Sequence, residues 1–266
     1  MTGQYVAFSR LRKYMNEQSI EKAISDLPNI KGLLCYAFPY FAGESEGNIS
    51  LYARGKDYHK VVGKKIAEYC EELKKEFPQN SFLPYVDVSP FPEVTAAALA
   101  GLGKKGKHGL LITPDFGSYI FIGVIATDLQ LDDGNEIPTC NGCNACIKAC
   151  PNKALTESGF DKCRCLSEIT QKKGELSPEE KALMVENNAF WGCDRCQRAC
   201  PENRKVALTP IDEFKTDLIC SLSSQDLQES NKQLQKKYSD RAFIWRGAAI
   251  LKRNAEILEK QGEENG

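Results

Sequence analysis

The sequence predicts an α+β protein with an α/β sandwich-like N-terminal domain, a cysteine-rich middle domain and a short helical C-terminal segment. Short apolar segments alternate with helical segments in the first half, almost all cysteines lie in the middle, and helical spacing of apolar residues returns near the end. We place the domain boundaries at residues 1–135, 136–210 and 211–266. A chain of 266 residues is long enough to bury a sizeable core.

Composition and charge argue against two broad classes of protein. Lys and Arg number 35 against 36 Asp and Glu, so a net charge of -1 gives no global attraction to nucleic acid or anionic membranes. The longest apolar run, residues 119–126, is far shorter than a membrane span. Residues 1–14 lack the apolar core of a signal peptide. We therefore expect a cytoplasmic protein with no membrane partner.

The first half contains two short strands separated by a helix. Residues 31–38 (KGLLCYAF) and 83–88 (LPYVDV) are apolar segments bounded by Pro and Gly, which is typical of buried strands. Between them, residues 60–77 carry apolar side chains at helical spacing, with Lys and Glu at other positions. We expect this helix to lay one face on a sheet. That face carries Val62, Ile66, Tyr69, Cys70, Leu73 and Phe77.

Three further elements complete the predicted N-terminal domain. Residues 92–101 begin with Pro, Glu and Val-Thr and continue into AAALAG, which predicts a closely packed helix that ends at a glycine. The apolar segments 109–113 and 118–127 flank Pro114-Asp115-Phe116-Gly117. This pattern predicts two paired strands joined by a turn.

The cysteines predict metal or cluster ligation rather than disulfide bonds. The chain has 12 cysteines, and a reducing compartment does not favour disulfides. All of them except Cys35, Cys70 and Cys220 lie between Cys140 and Cys200. The chain is therefore divided chemically near residue 139, and the three solitary cysteines are expected to be dispensable for iron.

The first cysteine run has the spacing of a bacterial ferredoxin. In Cys140-x2-Cys143-x2-Cys146-x3-Cys150-Pro151, three thiolates are expected to bind one 4Fe-4S cubane, while the cysteine before the proline reaches a second cubane. A zinc site is the alternative, but zinc motifs normally pair two Cys-x2-Cys units. The run therefore favours a ferredoxin-like domain with two clusters.

The second run, Cys193-x2-Cys196-x3-Cys200-Pro201, is one ligand short of a complete set. Two cubanes require an eighth cysteine, and Cys163 and Cys165 are the nearby candidates. The crossed ligation of two-cluster ferredoxins then predicts two sets of ligands, in clusters that lie close together. One set is Cys140, Cys143, Cys146 and Cys200, and the other is Cys150, Cys193, Cys196 and either Cys163 or Cys165.

Motifs on both sides of residue 139 resemble those of the cobalamin-dependent epoxyqueuosine reductases. Their order and spacing agree over roughly residues 25–257, and the chain is similar to compact members that lack C-terminal helical repeats. The matching motifs include Tyr52-Ala53-Arg54-Gly55-Lys56-Asp57-Tyr58-His59-Lys60, Asp87-x2-Pro90-x2-Glu93, Gly101-Leu102-Gly103, Gly117-Ser118-Tyr119, Thr127-Asp128-Leu129, Arg164-Cys165-Leu166-Ser167, Gly192-Cys193-Asp194-x-Cys196-Gln197 and Trp245-Arg246-Gly247.

The resemblance implies cofactors, a reaction and partners. Members of the family are similar in their first domain to cobalamin-processing flavin-fold proteins, and they hold cobalamin with its benzimidazole tail displaced from cobalt. They reduce epoxyqueuosine at the wobble position of tRNA to queuosine, with electrons passing through two 4Fe-4S clusters. The resemblance also implies that Cys165, not Cys163, is the eighth ligand. The partners implied are this tRNA and an external low-potential electron donor of the flavodoxin or ferredoxin type.

The resemblance also assigns a catalytic acid and cofactor contacts. Glu93 matches the proton-donating carboxylate of the family, and its apolar neighbours in sequence would keep a carboxyl group protonated. The alternative is an exposed residue in the first turn of a helix. The cofactor-binding residues implied are Arg54, Tyr58, Glu93, Gly117, Ser118, Tyr119, Asp128, Asp194 and Gln197.

The chain departs from the family at three positions near this acid. Val94 stands where Arg is usual, Lys104 where an aromatic residue is usual, and His108 where Asn is common. His59 and His108 are the only histidines. We expect both to face solvent or phosphate rather than to bind cobalt.

The C-terminal segment is basic within a chain that is otherwise almost neutral. Residues 231–260 contain eight Lys or Arg and three Asp or Glu, together with an apolar face. Two interpretations stay open: phosphate contacts with tRNA, and a docked helix pair with a solvated basic side.

Three functions fit these patterns. The first is reduction of epoxyqueuosine in tRNA, with Glu93 as proton donor. The second is a related corrinoid iron-sulfur reductase that acts on a small molecule, and the third is a non-catalytic iron-sulfur electron carrier. The basic C-terminal segment and the missing export signal favour the first over the second.

Overall fold

A four-stranded antiparallel sheet organises the first of two units in the structure, a computed structural model that describes residues 3–131 and 136–264, with residues 260–264 as backbone only. The sheet has the strand order β1-β2-β6-β3, and β4 pairs with β5 beside it. The strands are β1 (Gln4–Ala7), β2 (Gly32–Pro39), β3 (Phe82–Val86), β4 (Lys104–Lys105), β5 (Leu111–Ile112) and β6 (Ile120–Thr127).

Helices cover both faces of this sheet. Successive strand residues point to opposite faces, so Leu33 and Cys35 of β2 lie on one face and Tyr36 and Phe38 on the other. The first pair joins a core with the alanines of α4, whereas the second pair packs on Tyr69 of α3, with ring centroids 4.9 and 6.3 Å apart. This arrangement confirms the α/β sandwich-like prediction. The helices are α1 (Phe8–Leu11), α2 (Glu17–Asp26), α3 (Tyr58–Glu76) and α4 (Glu93–Leu99).

Most predicted elements of this unit are confirmed to within a few residues. Strands β2 and β3 correspond to the predicted segments 31–38 and 83–88. Helix α3 buries Val62, Ile66 and Cys70, as the helical spacing indicated. Helix α4 is short, and all its residues from Thr95 to Leu99 are buried. The small alanine side chains let the helix pack closely against the sheet. Cys35 and Cys70 are core residues.

The predicted pairing of segments 109–113 and 118–127 is wrong. Strand β5 pairs with β4, and β6 lies between β2 and β3 along their length. Only one antiparallel bridge, Thr113 to Gly117, closes the turn between the two segments. The reason is burial: Val124, Ile125 and Ala126 are buried on both faces, so this eight-residue strand occupies the centre of the sheet and needs long partners on both edges.

The second unit is mainly helical. Its core includes Leu166, Ile169 and Met184, and Ile257 and Leu258 of the C-terminal helix pack against them. Two helices lie in the predicted helical C-terminal segment. The elements are α5 (Ala145–Ala149), α6 (Leu166–Gln171), α7 (Pro178–Glu186), α8 (Arg195–Arg198), α9 (Asn231–Lys237) and α10 (Ala248–Glu264), with the hairpin β7 (Leu155–Thr156) and β8 (Gly159–Phe160).

The two units divide the chain differently from the predicted domains. The first contains Met1–Pro39 and Tyr58–Gly142, and the second contains Tyr40–Asp57 and Cys143–Gly266, with no division near residue 210. Hydrogen bonds explain why the segment 40–57 belongs to the second unit. Asn48 binds the backbone of Leu222, and Lys56 pairs with Asp240 at 2.7 Å.

No helix among residues 3–131 and 136–264 is both long and apolar enough to span a membrane.

Candidate functional site

Glu93 is the first residue of α4, at the end of a loop that follows β3. The backbone carbonyl of Pro92 accepts a bond from Ala96 N–H at 2.9 Å, so the helix starts immediately after the proline. Burial is the main cause that raises the pKa of Glu93 to about 7, and the negative charge of Asp87 also raises it. The hydroxyl of Ser89 donates a hydrogen bond to the Glu93 carboxylate at 2.7 Å and lowers the pKa. A carboxyl group with this pKa holds a proton in much of the population at neutral pH and can donate it.

Asp87 lies in the same loop, with its backbone in the left-handed region. Its φ is +62°, a conformation that Asp and Asn adopt more readily than most other residues with a side chain. The Tyr58 hydroxyl donates to its carboxylate at 3.1 Å, and His59 Nε2 lies 3.1 Å from the same oxygen. The bond from His59 lowers the pKa of Asp87, so this group is an anion near Glu93. The motif drew attention to Asp87, but only the structure shows its partners.

Tyr58 fixes this network against the sheet. Its ring stacks on Phe121 of β6 with centroids 4.3 Å apart and planes at 9°. The ring of His59 stacks on Tyr58 at 4.0 Å. Tyr58 is therefore placed at the same end of the sheet as Asp87 and Glu93.

Val88 adds an exposed apolar surface to this loop. Its side chain is 85% exposed, although it lies between Asp87 and the anchored Ser89. A branched apolar residue in that position offers a contact for a large ligand with an apolar face.

The residues Gly117, Ser118 and Tyr119 do not offer the ligand surface that the sequence suggested. All three are buried, with Ser118 2% and Tyr119 1% exposed. Gly117 is in the left-handed region, and it exchanges two backbone hydrogen bonds with Thr113. Gly117 therefore forms a tight turn before β6, because glycine adopts the left-handed conformation of this turn without steric cost.

Asp128 lies at the other end of the sheet. It follows the last residue of β6, so roughly 23 Å of extended strand separate it from the turn at Gly117. Its carboxylate accepts bonds from the Asn80 side chain and the Ser81 backbone at 3.0 and 2.8 Å. The structure therefore does not bring Asp128 together with Glu93, and its polar atoms anchor the start of β3.

Arg54 and Asp194 belong to the second unit, where both are buried and bonded. Arg54 donates to the carbonyls of Ile49 and Ser45 at 2.6 and 2.9 Å. Asp194 accepts bonds from the Ser50 hydroxyl and from Leu51 N–H. A cavity of about 310 Å³ lined in part by these two residues and Cys193 is at the small end for any ligand and too small for a corrin. Both side chains thus hold the segment 45–54 in place.

Gln197 is also engaged within the second unit. Its side-chain amide and the hydroxyl of Tyr40 are hydrogen-bonded at 3.0 Å, and its backbone carbonyl accepts from Asn203. These bonds fix α8, which contains the predicted cluster ligand Cys196 and ends two residues before the predicted ligand Cys200.

The first set of predicted cluster ligands lies in both units. Cys140 is at the end of the first unit, where its backbone N–H donates to Lys105 of β4 at 3.1 Å. Cys143, Cys146 and Cys200 are in the second unit. Burial raises the pKa of Cys200, and Cys143 and Cys146 lie close enough to raise it further.

The second set gathers entirely within the second unit. Burial raises the pKa of Cys193 to about 11 and of Cys196 to about 12, with further contributions from Cys165 and Cys150. Ala154 N–H donates to the sulfur of Cys150 at 3.2 Å, a contact typical of iron-sulfur ligands. Cys163 is exposed.

The described side chains are not arranged around a single metal ion. In the residues that the structure covers, no three His, Cys, Asp or Glu side chains converge in that way. A cubane instead takes one sulfur at each of four separate iron atoms, so its ligands are spread more widely.

The expectation that His108 faces solvent or phosphate is wrong. His108 is buried, and burial lowers its pKa to about 4, so it is neutral. Its Nδ1 accepts a bond from Leu110 N–H at 3.2 Å, and its Nε2 has no partner within the described residues. His59 is partly exposed, and its Nε2 lies 3.1 Å from the Asp87 carboxylate.

Four cations of the basic C-terminal segment are bonded within the second unit itself. Lys237 pairs with Glu229, Arg241 donates to the Arg54 carbonyl, Lys252 donates to the Glu229 carbonyl, and Arg253 donates to the Lys172 carbonyl. This finding favours the docked-helix interpretation over a broad phosphate-binding surface.

Two sequence-family models match parts of the chain. One, described as 4Fe-4S double cluster binding domain, matches residues 139–203, which include all eight predicted cluster ligands, Cys165 among them. The other, described as Epoxyqueuosine reductase QueG, DUF1730, matches residues 25–88.

Three curated epoxyqueuosine reductases are similar to the chain. That of Gloeobacter violaceus is 37% identical over 252 residues, which cover 86% of this chain and 76% of the relative. That of Bacillus cereus is 32% identical over 256 residues, covering 90% and 67%. That of Aliivibrio fischeri is 37% identical over 186 residues, covering 69% and 49%. The chain thus spans between half and about three quarters of these relatives.

Solved structures share the fold. The epoxyqueuosine reductase of Streptococcus thermophilus superposes with a TM-score of 0.82 at 26% identity, over 96% of this chain and 76% of that one. An epoxyqueuosine reductase solved with an epoxyqueuosine-modified tRNA-Tyr stem loop superposes with a TM-score of 0.79 at 24% identity.

Proposed function

The chain belongs to the epoxyqueuosine reductase family, and we propose that it reduces the epoxide of epoxyqueuosine in tRNA to give queuosine. One observation carries this proposal beyond the family relationship. Glu93 is a half-buried carboxyl group with its pKa raised to about 7, and epoxide removal needs such an acid.

The cofactors are cobalamin, on which the family depends, and two 4Fe-4S clusters. When bound, cobalamin supplies a low-valent cobalt that provides electrons in a form no side chain can offer. The exposed Val88 and the acid Glu93 suit a site for a large cofactor with a reacting substrate above it. We propose that Tyr58, Val88 and Glu93 border the corrin.

The residues around Glu93 manage protons in this scheme. Conversion of an epoxide to an alkene and water consumes two electrons and two protons, and cleavage of the first C–O bond leaves an alkoxide. Glu93 donates the proton to that oxygen and becomes a carboxylate. The Ser89 hydroxyl stabilises the carboxylate, while the anion of Asp87 keeps the proton affinity of Glu93 high.

The cluster ligands in this proposal are the two predicted sets, with Cys165 as the eighth cysteine. Its support is that Cys165 lies near Cys193 and Cys196, whereas Cys163 is exposed. Anaerobically reconstituted protein should hold about eight irons. Cys165→Ser should lose or alter one cluster, and Cys163→Ser, the matched control two residues away, should keep both. The reverse result would assign the ligand to Cys163.

The partners in this proposal are epoxyqueuosine tRNA and an external low-potential electron donor of the flavodoxin or ferredoxin type, in the cytoplasm where tRNA is found. A protein with the same fold has been solved with an epoxyqueuosine-modified tRNA stem loop, so the fold is compatible with this substrate. Clusters that carry single electrons suit a one-electron donor.

Nucleoside analysis of tRNA tests the proposal. A strain that lacks the protein should accumulate epoxyqueuosine, and expression of the wild type should restore queuosine. Glu93→Gln should fail to restore it while retaining its iron and cobalamin. Unchanged queuosine in the deletion strain, together with no reduction of epoxyqueuosine tRNA by the purified holoenzyme, would overturn the proposal.

A further inference from the structure

Trp245 is exposed to solvent yet held in one position. Its side chain is 55% exposed, whereas Trp191, the other of the two tryptophans, is fully buried. The indole Nε1 of Trp245 donates to Gln171 Oε1 at 3.0 Å. Gln171 is itself fixed at the end of α6, where its amide nitrogen donates to the carbonyl of Ser167 at 3.0 Å. The ring is therefore oriented before any partner arrives, which lowers the entropy cost of binding.

Arg246 covers part of the ring. Its guanidinium carbon lies 3.7 Å from the centroid of Trp245, a close cation–π contact. Its Nε is buried and has no hydrogen-bond acceptor in the described part of the chain. The pair thus combines an exposed aromatic ring with a planar cation stacked on it.

The loop that follows Gln171 carries further positive charge. Lys172 and Lys173 are exposed, and Lys172 pairs with Glu180 at 2.8 Å. Arg253 donates to the carbonyls of Lys172 and Gly174 at 2.6 and 2.7 Å, so the loop is held against α10. Lys173, two residues after Gln171, is exposed and has no ion pair among the described residues.

We infer that Trp245 and Arg246 form a stacking platform for an unpaired base of the tRNA substrate, with Lys173 contacting a neighbouring phosphate. This inference rests on the proposed function and extends it to a site of contact. Unpaired bases in RNA loops stack on aromatic rings and on Arg guanidinium planes, and lysines neutralise the adjacent backbone.

The surroundings of the ring favour RNA over a protein partner. Aromatic anchors of protein interfaces lie in patches that exclude water around them. The residues in contact with Trp245 are instead polar or charged, Gln171 and Arg246, and the exposed Lys172 and Lys173 follow Gln171 in the chain. Because Lys237, Arg241, Lys252 and Arg253 are bonded within the unit, this platform is a better candidate for tRNA contact than the helices α9 and α10.

Binding of a fluorescently labelled anticodon stem loop to the holoenzyme, measured by anisotropy at several salt concentrations, tests the inference. Trp245→Ala should raise the Kd roughly 5- to 100-fold, because stacking on an aromatic contributes this much per base. It should leave the slope of log Kd against log salt unchanged. Lys173→Ala should instead reduce that slope by about one, since it removes a phosphate contact.

Trp245→Phe is the conservative control. A phenyl ring keeps a surface for stacking but cannot donate to Gln171, so the Kd should rise less than in Trp245→Ala. Wild-type fluorescence gives an independent measurement, because Trp191 is buried and Trp245 accounts for quenching by acrylamide. Unlabelled stem loop should protect the wild type from acrylamide and leave Trp245→Phe unaffected.

The outcomes separate the inference from the proposed function. If the wild type binds and reduces epoxyqueuosine tRNA but Trp245→Ala binds it equally well, the platform is refuted and the function stands. The same holds if Trp245→Ala changes only the oligomeric state, which would indicate a protein contact. If the wild type neither binds nor reduces the tRNA, the proposed function fails. Iron content and circular dichroism of each variant check that it is folded.

Discussion

Burial acts on a carboxyl group in each unit of this protein, on Glu93 in the first and on Asp194 in the second. Burial raises the pKa of both. Asp194 receives a hydrogen bond on each oxygen, from the Ser50 hydroxyl and from Leu51 N–H, and the charges of Arg198 and Arg54 also stabilise its anion. It therefore acts as an anchor between segments of one unit.

Glu93 has fewer compensating partners. Within the residues that the structure describes, Ser89 is its hydrogen-bond donor, and the nearest charge that affects it is the anion of Asp87. Burial alone thus does not distinguish a structural carboxylate from a proton donor. The number of donors and the sign of the neighbouring charge do, because donors and cations stabilise the ionised form.

The strongest test of this comparison is Glu93→Gln. Glutamine keeps the shape of the side chain but has no acidic proton, so turnover should fall by roughly two to four powers of ten. Queuosine formation under saturating reductant measures this effect, and unchanged iron and cobalamin contents serve as the control. A near wild-type rate would mean that water or another group supplies the proton, and Glu93 would then resemble Asp194.

The pH dependence of turnover sharpens the comparison. The acid must be protonated to act, so the wild-type rate should fall about tenfold per pH unit above about 7, the pKa of Glu93. Glu93→Gln should lose this limb of the profile. A wild-type rate that is flat between pH 7 and 9, with chemistry rate-limiting, would contradict the assigned role.

The same pKa has a consequence for stability. The pKa of Glu93 in the folded state, about 7, lies above the ordinary glutamate value of 4.5, so the folded state binds more protons between these two values. The free energy of unfolding of the wild type, relative to Glu93→Gln, should therefore decrease as pH rises through this window, by at most about 3 kcal/mol. Denaturant unfolding at pH 5 and pH 8 measures the difference.

Asp194→Ala should affect stability more than pH behaviour. It removes both acceptors and leaves the Ser50 hydroxyl and Leu51 N–H unsatisfied, which costs about 1–3 kcal/mol of unfolding free energy. Asp194→Asn, which retains one acceptor, should lose less. Denaturant midpoints of the holoprotein, with cluster content monitored, give the comparison. Equal stability of Asp194→Ala and the wild type would contradict the role of Asp194 as a structural anchor.

The smallest expected effect is that of Asp87→Asn. Loss of the anion should lower the pKa of Glu93 and move the falling limb of the rate profile to lower pH by less than about one unit. Asn tolerates the left-handed φ of this position, so the loop should keep its conformation. An unshifted limb would show that the charge of Asp87 does not control the acid.

Local patterns in the sequence were enough to predict the double-cluster domain and the buried face of α3. Cysteine spacing is local chemistry, so the two runs predicted a double-cluster domain, and the family model over residues 139–203 agrees with it. Helical spacing of Val62, Ile66 and Cys70 predicted the buried face of α3. These features depend on residues a few positions apart, and for that reason they can be recognised without knowledge of the fold.

The tertiary structure decided what depends on distant segments. The sequence cannot show that β6 pairs with β2 and β3 instead of β5, because pairing depends on which strands bury both faces. It likewise cannot show that Asp128 lies at the far end of the sheet, that His108 is buried, or that Asp194 is satisfied by Ser50. Hydrogen-bond donors for Glu93 and Asp194 come from loops whose positions only the folded chain fixes, and those donors separate the proposed acid from the anchor.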